Sequence, residues 1–170
     1  MANADELFVY IGTYRDETAA REDYDVVKDL HAEGVVGSYD AAVITKDQNG
    51  KVHVNKDEMA TRHGGWGGAA AGAVVGILFP PSIIATTLVG AAVGGVSGHL
   101  WRGLSRSDVK EFGDLIDEGE AALLIVGAST VLTAVNEAGL KAEKQITKDV
   151  PKVSQKDVDQ AIQDAAKEVN

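Results

Sequence analysis

The histidines that could hold a metal or move a proton in this sequence are few and dispersed. The four histidines, His31, His53, His63 and His99, show no spacing that would set two of them on one helical turn as metal ligands. His63 and His99 flank the two ends of an apolar stretch. If its arms run antiparallel, the pair meets at the base, where Glu58 would complete a metal-binding or pH-sensing group. The plainer reading is polar residues at a junction, and no metal ligand is assigned. Asp114, Asp117, Glu118 and Glu120 cluster where a helix gives way to a strand, and they read as a solvated surface instead of a carboxylate pair for acid–base catalysis. Ser105 and Ser107 have no histidine partner at a useful spacing, so they are helix-start residues and not nucleophiles. The run Gly64-Gly65-Trp66-Gly67-Gly68 has the glycine density of a phosphate cradle, but no Lys-Ser or Lys-Thr follows it. No catalytic residue and no cofactor site is assigned, and the expected protein is not an enzyme.

Composition narrows the partners further. Acidic residues outnumber basic ones 26 to 16, the net charge is −10 and the pI is about 4.7, so a phosphate backbone would be repelled. Nucleic acid is excluded as an expected partner. The absence of cysteine removes disulfides, thiolate metal sites and thiol catalysis. The N-terminal residues Met-Ala-Asn-Ala-Asp-Glu show neither the basic nor the apolar region of a secretory signal, and the polar parts are expected to stay in the cytoplasm.

What stands out is a stretch of 38 residues, 64–101, with no Asp, Glu, Lys or Arg and with glycine at every fourth position in two series. Gly64, Gly68, Gly72 and Gly76 form the first, Gly90, Gly94 and Gly98 the second, and Pro80-Pro81 divides them. Four residues are close to one helical turn, so each series carves a smooth groove where another backbone can approach closely. Glycine inside a helix costs up to about 1 kcal/mol against alanine, and the packing must offset that cost. The arms, residues 64–79 and 82–101, would be helices of about 24 and 30 Å, marginal and sufficient respectively for a bilayer. Arg62, Arg102 and Arg106 at the base favour a cytoplasmic side, and Trp66 and Trp101 are placed for a membrane interface or for packing at the junction. Against insertion, the arms are rich in Ala and Gly and the mean hydropathy of the chain is −0.06. The helices therefore fit three surroundings: a bilayer, which leads; the interior of a soluble assembly; and the core of a single subunit.

Around this stretch the pattern is mixed. Residues 7–14 (LFVYIGTY) read as a strand, 16–33 as an amphipathic helix stopped by Gly34, and 35–46 and 51–55 as a strand pair turned at Asn49-Gly50. Residues 105–117 read as a helix with Val109, Phe112, Leu115 and Ile116 on one face, and 120–128 as a central strand. A helix over 130–144, a break at Asp149-Val150-Pro151 and a final helix capped by Ser154 complete the chain. The order β-α-β-β, hairpin, α-β fits an α+β, ferredoxin-like split β-α-β domain with a glycine-zipper helical hairpin inserted after its third strand, followed by C-terminal helices. The expected division is 1–63 and 103–144 for that domain, 64–102 for the hairpin, and 145–170 for a linker and amphipathic helix.

The segments YDAAVITKDQNGKVHV (residues 39–54), GGWGGAAAGAVVGILFPPSII (64–84) and FGDLIDEGEAALLIV (112–126) together resemble a bacterial family of domains of unknown function. That family is catalogued as predicted membrane proteins and in part as stress-associated. The resemblance spans residues 7–128, leaves the segment after Lys144 outside, and implies a small α/β domain with a glycine-rich apolar hairpin; it brings no catalytic residues. The sequence thus leads to a non-enzymatic protein that uses Gly64, Gly68, Gly72, Gly76, Gly90, Gly94 and Gly98 to form a homo-oligomer. It would sit at the inner membrane with both termini cytoplasmic and Arg62, Trp66, Trp101 and Arg102 at the interface. Its partners would be itself and the lipid bilayer. The alternative is a soluble cytoplasmic scaffold, a filament or closed shell, with hairpins buried between subunits; a small-ligand sensor using the sheet is a third class.

Overall fold

Three runs that are apolar almost without interruption, in the segments 6–14, 39–46 and 121–128, have to be covered on both faces, and the computed structural model covers them with two layers of helices. It describes residues 6–35, 39–54, 66, 69–85, 91–118 and 121–169. The elements are β1 (Glu6–Tyr14), α1 (Glu17–Ala32), β2 (Tyr39–Lys46), β3 (Val52–Val54), α2 (Ala69–Leu78), a 3-10 turn (Pro81–Ile83) and α3 (Ala91–Gly103). There follow α4 (Arg106–Glu118), β4 (Ala121–Ala128), α5 (Ser129–Ala138), β5 (Lys144–Ser154) and α6 (Gln155–Val169).

The strands form one five-stranded sheet in the order β3-β2-β4-β1-β5, with every neighbouring pair antiparallel. Side chains alternate across it. Phe8, Tyr10 and Tyr14, with Tyr39, Ala41, Val43, Leu123 and Ile125, pack under α1 and α5. Leu7, Val9 and Ile11, with Ala42, Ile44, Leu124 and Val126, pack under α2, α3, α4 and α6. The glycine-rich helices are thus half of the second core, and the protein is a mixed α+β fold.

Several expectations shift. The strand expected over 51–55 is a three-residue edge strand, β3. The helix expected over 130–144 ends at Ala138, because Gly139 turns the chain at φ 68°. A fifth strand follows where a linker was expected. β5 pairs with β1 from Thr13↔Lys144 to Leu7↔Val150, then bulges before Glu6↔Ser154. Of the hairpin arms, the described residues place 10 in α2 and 13 in α3, about 15 and 20 Å of helix. No helix among the described residues is long and apolar enough to cross a membrane, so the expected transmembrane helix finds no support.

Candidate functional site

The glycine-bearing pair α2–α3 is held to the body of the protein at four places. At its start, Asp40 on β2 is fully buried and points to the α2 side of the sheet. Its carboxylate accepts hydrogen bonds from the Ala70 N–H (2.8 Å) and the Ala71 N–H (3.1 Å). These are orphan donors of the first turn of α2, and a carboxylate there also meets the positive end of the helix dipole. Nothing in the first turn of α2 itself is acidic, so the cap comes from 30 residues upstream.

At the far end, the turn after α2 is fastened to the β2–β3 edge. Ile84 bridges Val52 in parallel, the Ala85 N–H donates to the Val52 carbonyl at 2.8 Å, and Lys51 Nζ donates to the Ser82 carbonyl at 3.1 Å. Lys46 Nζ lies over the Phe79 ring, 5.6 Å from its centre. The tip of the hairpin therefore rests on the sheet. Ala69 to Val75 are all buried, as expected of a helix that is apolar on every face.

The third and fourth attachments involve the C-terminal segment. Trp66 is buried, and its indole Nε1–H donates to Asp159 Oδ1 on α6 at 2.9 Å. A β-carbon added at Gly95 would lie 3.3 Å from the Ala161 β-carbon, so α3 and α6 approach almost backbone to backbone. The same α3 contact runs on to its end: at Gly103 a β-carbon would run into Val150 and sit 2.7 Å from the Pro151 carbonyl oxygen, so glycine is needed where α3 ends against β5.

The expected oligomerisation glycines fall into three groups. Gly64, Gly68 and Gly90 lie outside the described residues, as does Arg62. Gly72 is buried in its own subunit, and Gly94 lies in α3. Gly76 and Gly98 are exposed, and a β-carbon added at either would meet nothing. The close helix–helix contact on α3 is made one position away from the expected series, by Gly95. Among the expected interface residues, Trp66 is buried, Arg102 is exposed, and Trp101 lies in α3.

The residues considered for chemistry are dispersed. Ser105 Oγ accepts the Asp108 N–H (3.0 Å) while the Asp108 carboxylate accepts the Ser105 N–H (3.3 Å), a reciprocal cap that starts α4. Asp114 pairs with Lys110 one turn earlier at 2.8 Å, and this holds the lysine charged above its usual range. His31 stacks edge-on against Tyr39, and His53 meets Asp47 at 2.9 Å. That contact with His53 is the main reason the Asp47 carboxyl is held below its usual range. His99 is half-buried in α3, while His63 and Glu58 lie outside the described residues. Among the described residues no three His, Asp or Glu side chains are arranged to hold a metal.

One polar cleft of about 370 Å³ lies at the end of β1, lined by Tyr14, Arg15, Ala19, Glu22, Lys141 and Glu143. Behind it, the buried Asp23 accepts the Tyr14 hydroxyl at 2.7 Å and the Lys141 N–H at 2.6 Å, tying the α5–β5 connection to α1. Burial first, and the Asp23 hydrogen bond second, push Tyr14 ionisation far above the ordinary tyrosine value. Sequence reasoning missed Asp23 and Asp40 alike, since each works on a backbone N–H far along the chain.

The fold and the site define an α+β protein whose second core layer includes a docked, glycine-rich helix pair. The family model described as "Protein of unknown function (DUF1269)" matches residues 65–163, more than half of the chain, and the chain belongs to that family. The match begins beyond β3 and runs into α6, whereas the resemblance read from the sequence lay on residues 7–128. No curated protein and no solved structure matches the chain.

Proposed function

We propose that this protein is a non-enzymatic, self-associating subunit whose contact surface is the outer side of the α2–α3 pair. The observation that supports it is that Gly76 on α2 and Gly98 on α3 are both exposed and each has open space where a side chain would stand. A second copy's helix could approach such notches to within van der Waals contact of the backbone. The only large apolar side chains exposed among the described residues are Val26 and Val35, at the α1 side, so no competing apolar patch of large residues is on view.

The reading departs from a bilayer hairpin in one respect. The apolar surface of α2 is already covered by the sheet and its neighbouring helices, so the assembling unit is the whole folded subunit. Within it we infer a ferredoxin-like arrangement in which β1-α1-β2 and β4-α5-β5 are the two interleaved β-α-β units, with β3 and α2 to α4 inserted between them. The strand order β2-β4-β1-β5 supports that assignment. An envelope or stress role belongs to the resemblance alone.

The test is the double variant Gly76→Leu/Gly98→Leu, whose side chains enter open space and leave the core intact. Sedimentation velocity should show the oligomer of the parent protein shifting to a smaller species. An oligomer of unchanged size would refute the glycine contact.

A further inference from the structure

We infer that α6 is exchangeable between copies, so that the C-terminal segment 153–169 of one subunit docks on α3 of another. The partner is a second copy of this chain, and the inference rests on the reading that the protein self-associates. Three features point to it. First, α6 is joined to the sheet by a bulge: Leu7 pairs with Val150 and Glu6 with Ser154, leaving residues 151–153 unopposed. Second, Lys152 within that bulge has φ 69°, and it is the one non-glycine residue with positive φ among those described. A bulge that needs the left-handed conformation ordinarily takes glycine there, because a side chain is strained in it. A strained, short hinge favours the exchanged form, in which the chain is free to pass through Lys152 in an extended conformation.

Third, the docking site of α6 is self-contained and transferable. Val158, Ala161 and Ala165 form its buried stripe, Ala161 fits the notch at Gly95, and Asp159 accepts the Trp66 indole N–H. Every one of these contacts would be reproduced when the α6 of a second copy takes the place. Exchange therefore gains the relief of two hinges per dimer while the docking contacts are conserved.

The chain has no cysteine, so a single engineered pair reports on the exchange without background. In Gly95→Cys/Ala161→Cys the two β-carbons would stand close to disulfide separation. Monomer and dimer fractions would be separated by size exclusion, oxidised at low protein concentration, and run on denaturing gels with and without reductant. We expect covalent dimers from the dimer fraction and monomer-length species from the monomer fraction. A dimer fraction whose disulfides are all intramolecular overturns the exchange and leaves self-association through another surface standing. Parent protein that stays monomeric at every concentration overturns both. An independent check that leaves the α3–α6 contact untouched is Lys152→Gly, which should lower the dimerisation constant about tenfold per hinge by removing the left-handed penalty; an unchanged constant overturns the hinge.

Discussion

Asp40 at the start of β2, fully buried, closes the N-terminus of α2 by accepting the Ala70 N–H at 2.8 Å. The second bond, from Ala71, shares the same carboxylate oxygen. Asp40→Ala should therefore cost about 2–4 kcal/mol, since it removes a cap and leaves buried donors unpaired. Asp40→Asn keeps an acceptor and should cost less. Urea unfolding followed by circular dichroism measures both; a wild-type midpoint for Asp40→Ala would mean that α2 is held by other means.

Two glycines on neighbouring helices should respond in opposite ways to alanine. Gly76→Ala meets open space and improves helix propensity, a gain of about 0.5–1 kcal/mol. Gly103→Ala drives a methyl into Val150 and the Pro151 carbonyl, a backbone contact that cannot yield, and should cost about 1–3 kcal/mol. Thermal melts of the pair decide the matter, and equal shifts would contradict the packing described for α3.

Tyr39 is fully buried and its hydroxyl is the one buried side-chain polar atom without a partner among the described residues. Removing that oxygen should help: Tyr39→Phe is expected to raise stability by about 1 kcal/mol, because an unsatisfied hydroxyl is deleted and the ring is kept. A loss of stability of that size would show that the hydroxyl has a partner in solution.

Burial is the leading cause that raises the ionisation of Tyr10, Tyr14 and Tyr39 above the ordinary tyrosine value. The folded state thus keeps phenolic protons that the unfolded chain gives up near pH 10. Stability from these groups is fully present below that pH and is lost progressively as pH rises above it. An absorbance titration at alkaline pH should show these tyrosines ionising together with unfolding. Smooth ionisation near pH 10 with the fold intact would overturn this.

The parts of the fold that were legible in the sequence are those whose signal is local. The apolar run of β4, the Ser154 cap and the apolar face of α4 each announce an element within a dozen residues. β5 was not legible. Its residues KQITKDVPKVS bury only Val150 and Val153, and its lysines and Pro151 are the marks of an edge strand that resists further pairing, which reads as linker in one dimension. The environment of α2 was not legible either. Glycine every fourth residue suits a bilayer, an interface or a core equally well, and the deciding groups, Asp40 and Asp159, are distant in the chain. Asp40 offered one signal, a lone charge inside an otherwise apolar strand.

β1 lies between β4 and β5 in the sheet, so this strand finds both of its neighbours more than a hundred residues further along the chain. As the chain leaves the ribosome, LFVYIGTY has no strand to pair with until residues 121–154 have emerged. The sheet can close only once residues 121–154 are available, so its central pairings are among the most widely separated in the chain, a topology in which loop closure must be paid before the contacts reward it.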